Sequence, residues 1–238
     1  MKYINKNEEP QDFKNWKQSN METFDRYITE GKSGDAIFGL LQSTRAKEPI
    51  DHDYSKSELR ESLLEEQGFI CCYCNQTIAN NEKTIIEHLN DKSTSRHLTF
   101  EYTNLLASCN GSQKIPKPRN LHCDAEKRSQ NLLLSPLDEF CEIQLYFSSK
   151  GVVYARCEDG ENAIRVLNLN APQLVRQRME AIESQIYDAE TLELIDDNVA
   201  NIILNDLNNK DTQQHFAEFC TAIKSAIRRE VLNQPEEI

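Results

Sequence analysis

The stretch Cys71-Cys72-Tyr73-Cys74, followed by Thr84-Ile85-Ile86-Glu87-His88-Leu89, then Cys109, then His122-Cys123-Asp124-Ala125-Glu126-Lys127, decides how this chain is read. Four thiols bracketing an acid-histidine pair and Asn104 are hard to explain as packing. Cys71 and Cys74 have the Cys-x-x-Cys spacing that lets two thiolates of one turn meet a tetrahedral ion, which Cys72 with Cys74 does less well. Cys72 is therefore the spare, and Cys109 with Cys123 forms the second pair. That pair is fourteen residues apart, yet loop-closure entropy grows slowly with length and zinc can close the loop.

Outward from this stretch, each segment carries a local signal. Thr84 to Leu89 is short and β-branched, which predicts a buried strand delivering Glu87 and His88 at its end. Upstream, Ser55 with Glu58 makes a capping-box pattern; Leu59, Leu63 and Leu64 form an apolar stripe, and Gly68 can stop the helix. Downstream, 112–120 contains Pro116 and Pro118 and reads as a basic loop, because proline removes donors and restricts its neighbours. A helix is then predicted over 124–130, with Asp124 capping it and Glu126 in its first turn. Segments 141–148 and 152–156 flank Ser149-Lys150-Gly151 as a hairpin. The remainder predicts helices: one opened by Asn170 and Pro172 with Val175, Met179, Ile182 and Ile186 on a face, another opened by Asp211 with Phe216, Phe219, Ile223 and Ile227. The first fifty residues show short helical patterns (Phe24, Tyr27, Ile28; then Ile37, Phe38, Leu40, Leu41) split by a glycine-bearing stretch. Its Gly31-Lys32-Ser33 is not a phosphate loop, since Arg26 stands where such a loop needs a glycine.

Composition bounds the function classes. No apolar run is long enough for a bilayer and no leader is read at Met1, so a soluble cytoplasmic protein with reduced thiols and no membrane partner is expected. Cys141, Cys157 and Cys220 are scattered and read as core residues. A net charge of −12 argues against general nucleic-acid binding. Yet 83–130 holds eight basic side chains against five acidic ones. Positive charge thus gathers around the cysteines, and an acidic remainder suggests dependence on a partner.

At this point the chain resembles the HNH (ββα-metal) endonucleases: a Cys-x-x-Cys knuckle, an acid-His pair, an asparagine on the following turn, and a second cysteine pair whose last member precedes a metal-ligand residue. More narrowly, Leu64-Glu65-Glu66-Gln67-Gly68, His122-Cys123-Asp124 with Lys127, and Leu167-Asn168-Leu169-Asn170 are similar to PtuB, the HNH subunit family of Septu-type anti-phage systems, also found with retrons. The HNH resemblance covers about a quarter of the chain and the PtuB-like one, more loosely, most of it. It implies a DNA substrate and an ATPase partner of the PtuA type. The fold class expected is α+β, mainly helical, with an embedded zinc-stapled ββα-metal core and an additional β-hairpin. The divisions expected are a helical region over 1–53, the nuclease core over 54–137, and the hairpin with further helices over 138–238.

The chemistry gives each residue a role. A phosphodiester repels hydroxide, so a cleaving enzyme must neutralise phosphate, generate a nucleophile and stabilise the leaving oxygen. Glu87 and Asp124, arriving from a strand end and a helix start, suit Mg²⁺ or Mn²⁺. Asp124 stands where many HNH enzymes carry His or Asn, and a carboxylate there favours hard cations. His88 suits the general base and Asn104 the support of its loop. Cys71, Cys74, Cys109 and Cys123 suit a structural Zn²⁺. Lys114, Lys117, Arg119, His122, Lys127 and Arg128 are candidate nucleic-acid contacts, with a zinc or other metal ligand left open for His122. His97 reads as a loop residue, and His52 and His215 as surface or packing residues. Two alternatives stand beside DNA cleavage: a non-catalytic zinc-stapled module that binds nucleic acid or protein, and an RNA- or tRNA-cleaving enzyme with the same chemistry.

Overall fold

The computed structural model describes residues 1–42, 54–111 and 120–234. Three short helices open the chain: α1 (Gln11–Ser19), α2 (Met21–Thr29) and α3 (Gly34–Phe38). Phe13, Trp16 and Phe24 from α1 and α2 meet Phe100 at ring-centroid distances of 4.6–6.5 Å. Aromatic rings bury much area at little entropic cost, so this cluster ties the leading helices to the loop that later supports the site. Ahead of α1, Lys6 Nζ pairs with Glu66 at 2.6 Å and donates to the Leu105 carbonyl at 3.0 Å.

Helix α4 (Lys56–Gln67) forms as its pattern predicts. Ser55 and Glu58 exchange both capping-box bonds, and Gly68 leaves the helix at φ 62°. Leu59, Leu63 and Leu64 are fully buried. Strands β1 (Thr84–His88) and β2 (Leu105–Cys109) pair antiparallel, with Thr84 opposite Cys109 and His88 opposite Leu105. Gln67 binds helix to sheet: its amide donates to the Ala107 carbonyl at 2.8 Å and accepts from the Ala107 N–H at 2.7 Å. Helix α5 (Asp124–Lys127) is shorter than the 124–130 span predicted, because Arg128 adopts φ 50° and leaves helical space. Asp124 lies inside its first turn, with no side chain capping it.

Strands β3 (Leu145–Phe147) and β4 (Val153–Ala155) form the predicted hairpin, with Tyr146 opposite Tyr154. Then come α6 (Glu158–Val166), α7 (Pro172–Ile186), α8 (Asp197–Asn208) and α9 (Cys220–Ala226). Two details differ from expectation. The buried row of α7 is Leu174, Arg178, Ile182 and Ile186, so an arginine occupies a core position and Val175 and Met179 are only half-buried. No helix starts at Asp211, whose carboxylate takes the N–H groups of Gln213 and His215 at 2.8 Å each and closes a turn. The helix begins after Phe219 instead. Buried apolar residues from Met1 to Val231 form one connected cluster. Among the described residues no helix is long and apolar enough to cross a membrane.

Glu142 is a tie point between chain ends. It takes Lys2 Nζ at 3.2 Å, Lys224 Nζ at 2.9 Å and the Tyr3 N–H at 3.1 Å. Burial alone would raise its pKa, but Lys224 and Lys2 hold it down to about 2. An unfolded glutamate titrates near roughly 4.3, so this stabilisation is complete above that pH and is lost as pH falls toward the folded value. Glu142→Gln is expected to lower unfolding free energy at neutral pH by on the order of 2 kcal/mol. Urea denaturation from pH 7 downward should show parent and variant converging in acid; a constant difference would contradict the assignment.

Candidate functional site

The chain leaving α4 makes a tight knuckle. Ile70 bridges Thr77, the Cys71 N–H donates to the Gln76 carbonyl at 2.8 Å, and Asn75 turns at φ 62°. This turn presents Cys71 and Cys74 to the end of β2, where Cys109 waits. Cys123 arrives from the other side, its N–H donating to the Leu167 carbonyl at 2.9 Å. Gly111 makes that approach possible. It has φ 63°, and a Cβ there would stand 2.2 Å from the His122 carbonyl oxygen.

The ligand atoms of Cys71, Cys74, Cys109 and Cys123 all lie within 4.8 Å of one another and all four residues are buried. Cys71 and Cys123 sulfurs are 3.9 Å apart, and Cys74 and Cys109 sulfurs 3.8 Å. A tetrahedral ion with Zn–S bonds near 2.3 Å needs sulfurs roughly 3.8 Å apart, so the set fits zinc. Polar groups already face it: the Cys109 N–H donates to the Cys71 sulfur at 3.3 Å, and His122 Nδ1 lies 3.2 Å from the Cys123 sulfur. Cys72, buried but outside the set, is the spare thiol. Burial opposes ionisation of Cys71, yet the surrounding thiols hold it well below the usual thiol range, while burial and the same neighbours hold Cys123 well above. Such a group cannot ionise together unless a cation joins it.

Glu87 and His88, adjacent on β1, face opposite ways, as strand geometry requires. Glu87 is 5% exposed; its Oε1 accepts from the Tyr73 hydroxyl at 2.9 Å and pairs with Lys127 Nζ at 2.8 Å. Burial and the neighbouring Asp124 carboxyl push its pKa up to about 7, against the pull of Lys127. The Asp124 carboxyl is thus close enough to Glu87 to act on its ionisation. His88 turns toward α3. Its ring meets Phe38 edge-on at 4.8 Å and its Nε2 lies 3.0 Å from the Thr99 carbonyl. A carbonyl can only accept, so Nε2 carries the proton and Nδ1 keeps the lone pair. Burial, with Lys92 nearby, pushes the imidazole down to about 4, leaving it neutral near pH 7.

Asn104 is buried at the start of β2 and clamps the connecting loop. Its Oδ1 accepts from the Asn90 N–H at 2.8 Å, and its Nδ2 donates to the carbonyls of Asn90 and Leu98 at 3.1 Å each. Two expected nucleic-acid contacts lie elsewhere. Lys127 is 1% exposed, its ammonium spent on Glu87 and on the His88 carbonyl at 3.1 Å, and His122 is 2% exposed against Cys123. Neither offers an exposed charge to a phosphate. Arg128 is exposed; Lys114, Lys117, Arg119 and His52 lie outside the described residues. Sequence reasoning did not pair Tyr73 or Lys127 with Glu87. The signal for Lys127 was its position three residues after Asp124, which puts both on one face of a short helix.

The site defines an α+β protein with a four-cysteine centre near the buried carboxylate of Glu87 and the half-buried one of Asp124. No protein-family model matches the chain, and no curated protein sequence matches it. Among the described residues, the cysteine set is also the one group of three or more histidine, cysteine or acidic ligands spaced to hold a metal.

Proposed function

We propose that this chain is a metal-dependent endonuclease of the HNH type that hydrolyses phosphodiester bonds in DNA. What carries the reading is the nearness of the Asp124 carboxyl, in the first turn of a short helix, to Glu87 on the two-stranded sheet beside the four-cysteine centre, with His88 next to Glu87 in sequence but turned to the other face of the strand. In this reading Cys71, Cys74, Cys109 and Cys123 hold a structural zinc. Glu87 and Asp124 hold Mg²⁺ or Mn²⁺, which when bound would neutralise phosphate and stabilise the leaving oxygen. His88 takes the proton of the attacking water through its free Nδ1, and Asn104 fixes the loop that carries Thr99 and hence the imidazole. The PtuB-like features make an ATPase of the PtuA type the partner we propose, in an anti-phage system in the cytoplasm.

Lys127 already neutralises part of the carboxylate pair, so a divalent cation must share Glu87 with an ammonium. Cation binding should therefore be modest and pH-dependent. Glu87 binds metal as the carboxylate, and with its pKa raised to about 7 the affinity for Mn²⁺ should rise between pH 6 and 8. Calorimetric titration of zinc-loaded protein with Mn²⁺ should show one further site, lost in Glu87→Gln. No binding in the parent protein would contradict the catalytic reading. It would favour the second one, a zinc-stapled module that binds nucleic acid or protein without cutting. The packing of His88 against Phe38, on the side of β1 away from Glu87, is the observation on that side.

A further inference from the structure

Arg178 is a buried charged group that the proposed chemistry leaves unused and, unlike Glu66 and Lys224, it has no ion-pair partner among the described residues. It sits in the buried row of α7, is 1% exposed, and is the largest of the fully buried side chains. Its guanidinium donates to two neutral acceptors, the carbonyls of Gly151 at 2.7 Å and Leu169 at 2.8 Å, and lies 5.0 Å from the centre of the Phe147 ring. Among the described residues no carboxylate pairs with it. A buried cation without counter-charge is strongly disfavoured, because carbonyl dipoles replace only part of the lost hydration. A negative charge must lie within reach.

The backbone around Arg178 points to where. Leu169, which takes one arm of the guanidinium, follows Leu167 by two residues, and the Leu167 carbonyl receives the Cys123 N–H at 2.9 Å. Gln177, the neighbour of Arg178 on α7, accepts at 3.1 Å from Gln76, two residues beyond Cys74. Arg178 is thus anchored between the chain segments that carry Cys74 and Cys123. These two thiols are also the groups that favour its charged form, against a burial that draws it down to about 10. Four thiolates around a dication leave a doubly negative centre in a dry interior, and that centre needs a positive neighbour as much as Arg178 needs a negative one.

We propose that Arg178 is the buried counter-charge of the four-cysteine metal centre, a positioning residue that sets its affinity and couples α7 to the nuclease core. The inference rests on the zinc reading of that centre, and the experiment separates the two. Zinc affinity is measured by chelator competition on the full chain, as parent, Arg178→Met and Arg178→Lys; cobalt(II)-substituted samples report the sulfur-to-metal charge-transfer band. Methionine fills the volume without charge, whereas lysine keeps the charge but loses the two-carbonyl fork. Loss of such a supporting residue typically weakens metal binding by about 10- to 100-fold, so the methionine variant should fall by that factor. The lysine variant should stay closer to the parent. The cobalt band should move to longer wavelength in the methionine variant, because a nearby cation stabilises the sulfur orbitals; packing alone would leave the band of the folded fraction in place. Equal loss in both variants, including failure of both to fold in excess zinc, would make the fork and not the charge the cause and overturn the proposal. So would parental affinity in Arg178→Met. A parent protein that takes up neither zinc nor cobalt would remove the zinc reading itself.

Discussion

Removal of the proposed structural zinc, or Cys71→Ala, is expected to unfold the core around the knuckle. Cys71, Cys74, Cys109 and Cys123 come from a turn, a strand end and the residue before α5, so one ion would cross-link all three pieces. Helix α5 has four residues and no side-chain cap, and Cys71 itself accepts the Cys109 N–H. Structural zinc in small sites supplies an apparent free energy of about 10–16 kcal/mol at neutral pH, more than the whole stability of a typical domain, about 5–15 kcal/mol. Chelation should therefore abolish cooperative unfolding of this region and restore it when zinc is returned. Cys72→Ala, which alters the spare thiol, should leave zinc stoichiometry unchanged. Hydrogen exchange of β2 with and without chelator checks the claim; unchanged protection after verified metal loss would refute it.

On the proposed mechanism, His88→Ala should lower cleavage by about 10²–10⁴-fold, the usual worth of a positioned general base. Two features make the test informative. The imidazole is held neutral near pH 7 by burial, so at saturating Mn²⁺, where the Glu87 titration no longer limits metal binding, the rate should show no step near pH 6.5, where a free histidine would titrate. Its Nε2 is engaged by the Thr99 carbonyl, so only Nδ1 can act. The substitution also empties space against Phe38, and the comparison is made on variants whose zinc content and circular dichroism match the parent. Equal rates in parent and variant would remove His88 from the chemistry.

Much of this arrangement was readable from residue order. The capping box at Ser55 and Glu58, the Gly68 exit and the β-branched run before Glu87 are local signals, and local signals survive folding. The convergence of four cysteines was readable from spacing even with fourteen residues between Cys109 and Cys123, because a metal-sized set tolerates a long loop. What was not readable depended on tertiary direction. Strand alternation turns His88 toward Phe38, whose place is set by α3, far away in sequence. Lys127 reads as a nucleic-acid contact because basic residues are usually exposed, and His122 as that or as a metal ligand; here Glu87 and Cys123 supply buried partners. Arg178 was hidden in an apolar stripe that is one residue out of phase with the pattern of Val175 and Met179. Asp211 spent its carboxylate on a turn, a choice the same residue offers as readily as a helix cap.

The most direct measurement is a time course of supercoiled plasmid with zinc-loaded protein in Mn²⁺, run alone and with the proposed PtuA-type ATPase, and stopped by EDTA. The account predicts nicked or linear DNA that accumulates with time, ceases on chelation and is absent with Glu87→Gln. Intact plasmid under every condition, from protein shown to be folded and zinc-loaded, would contradict it.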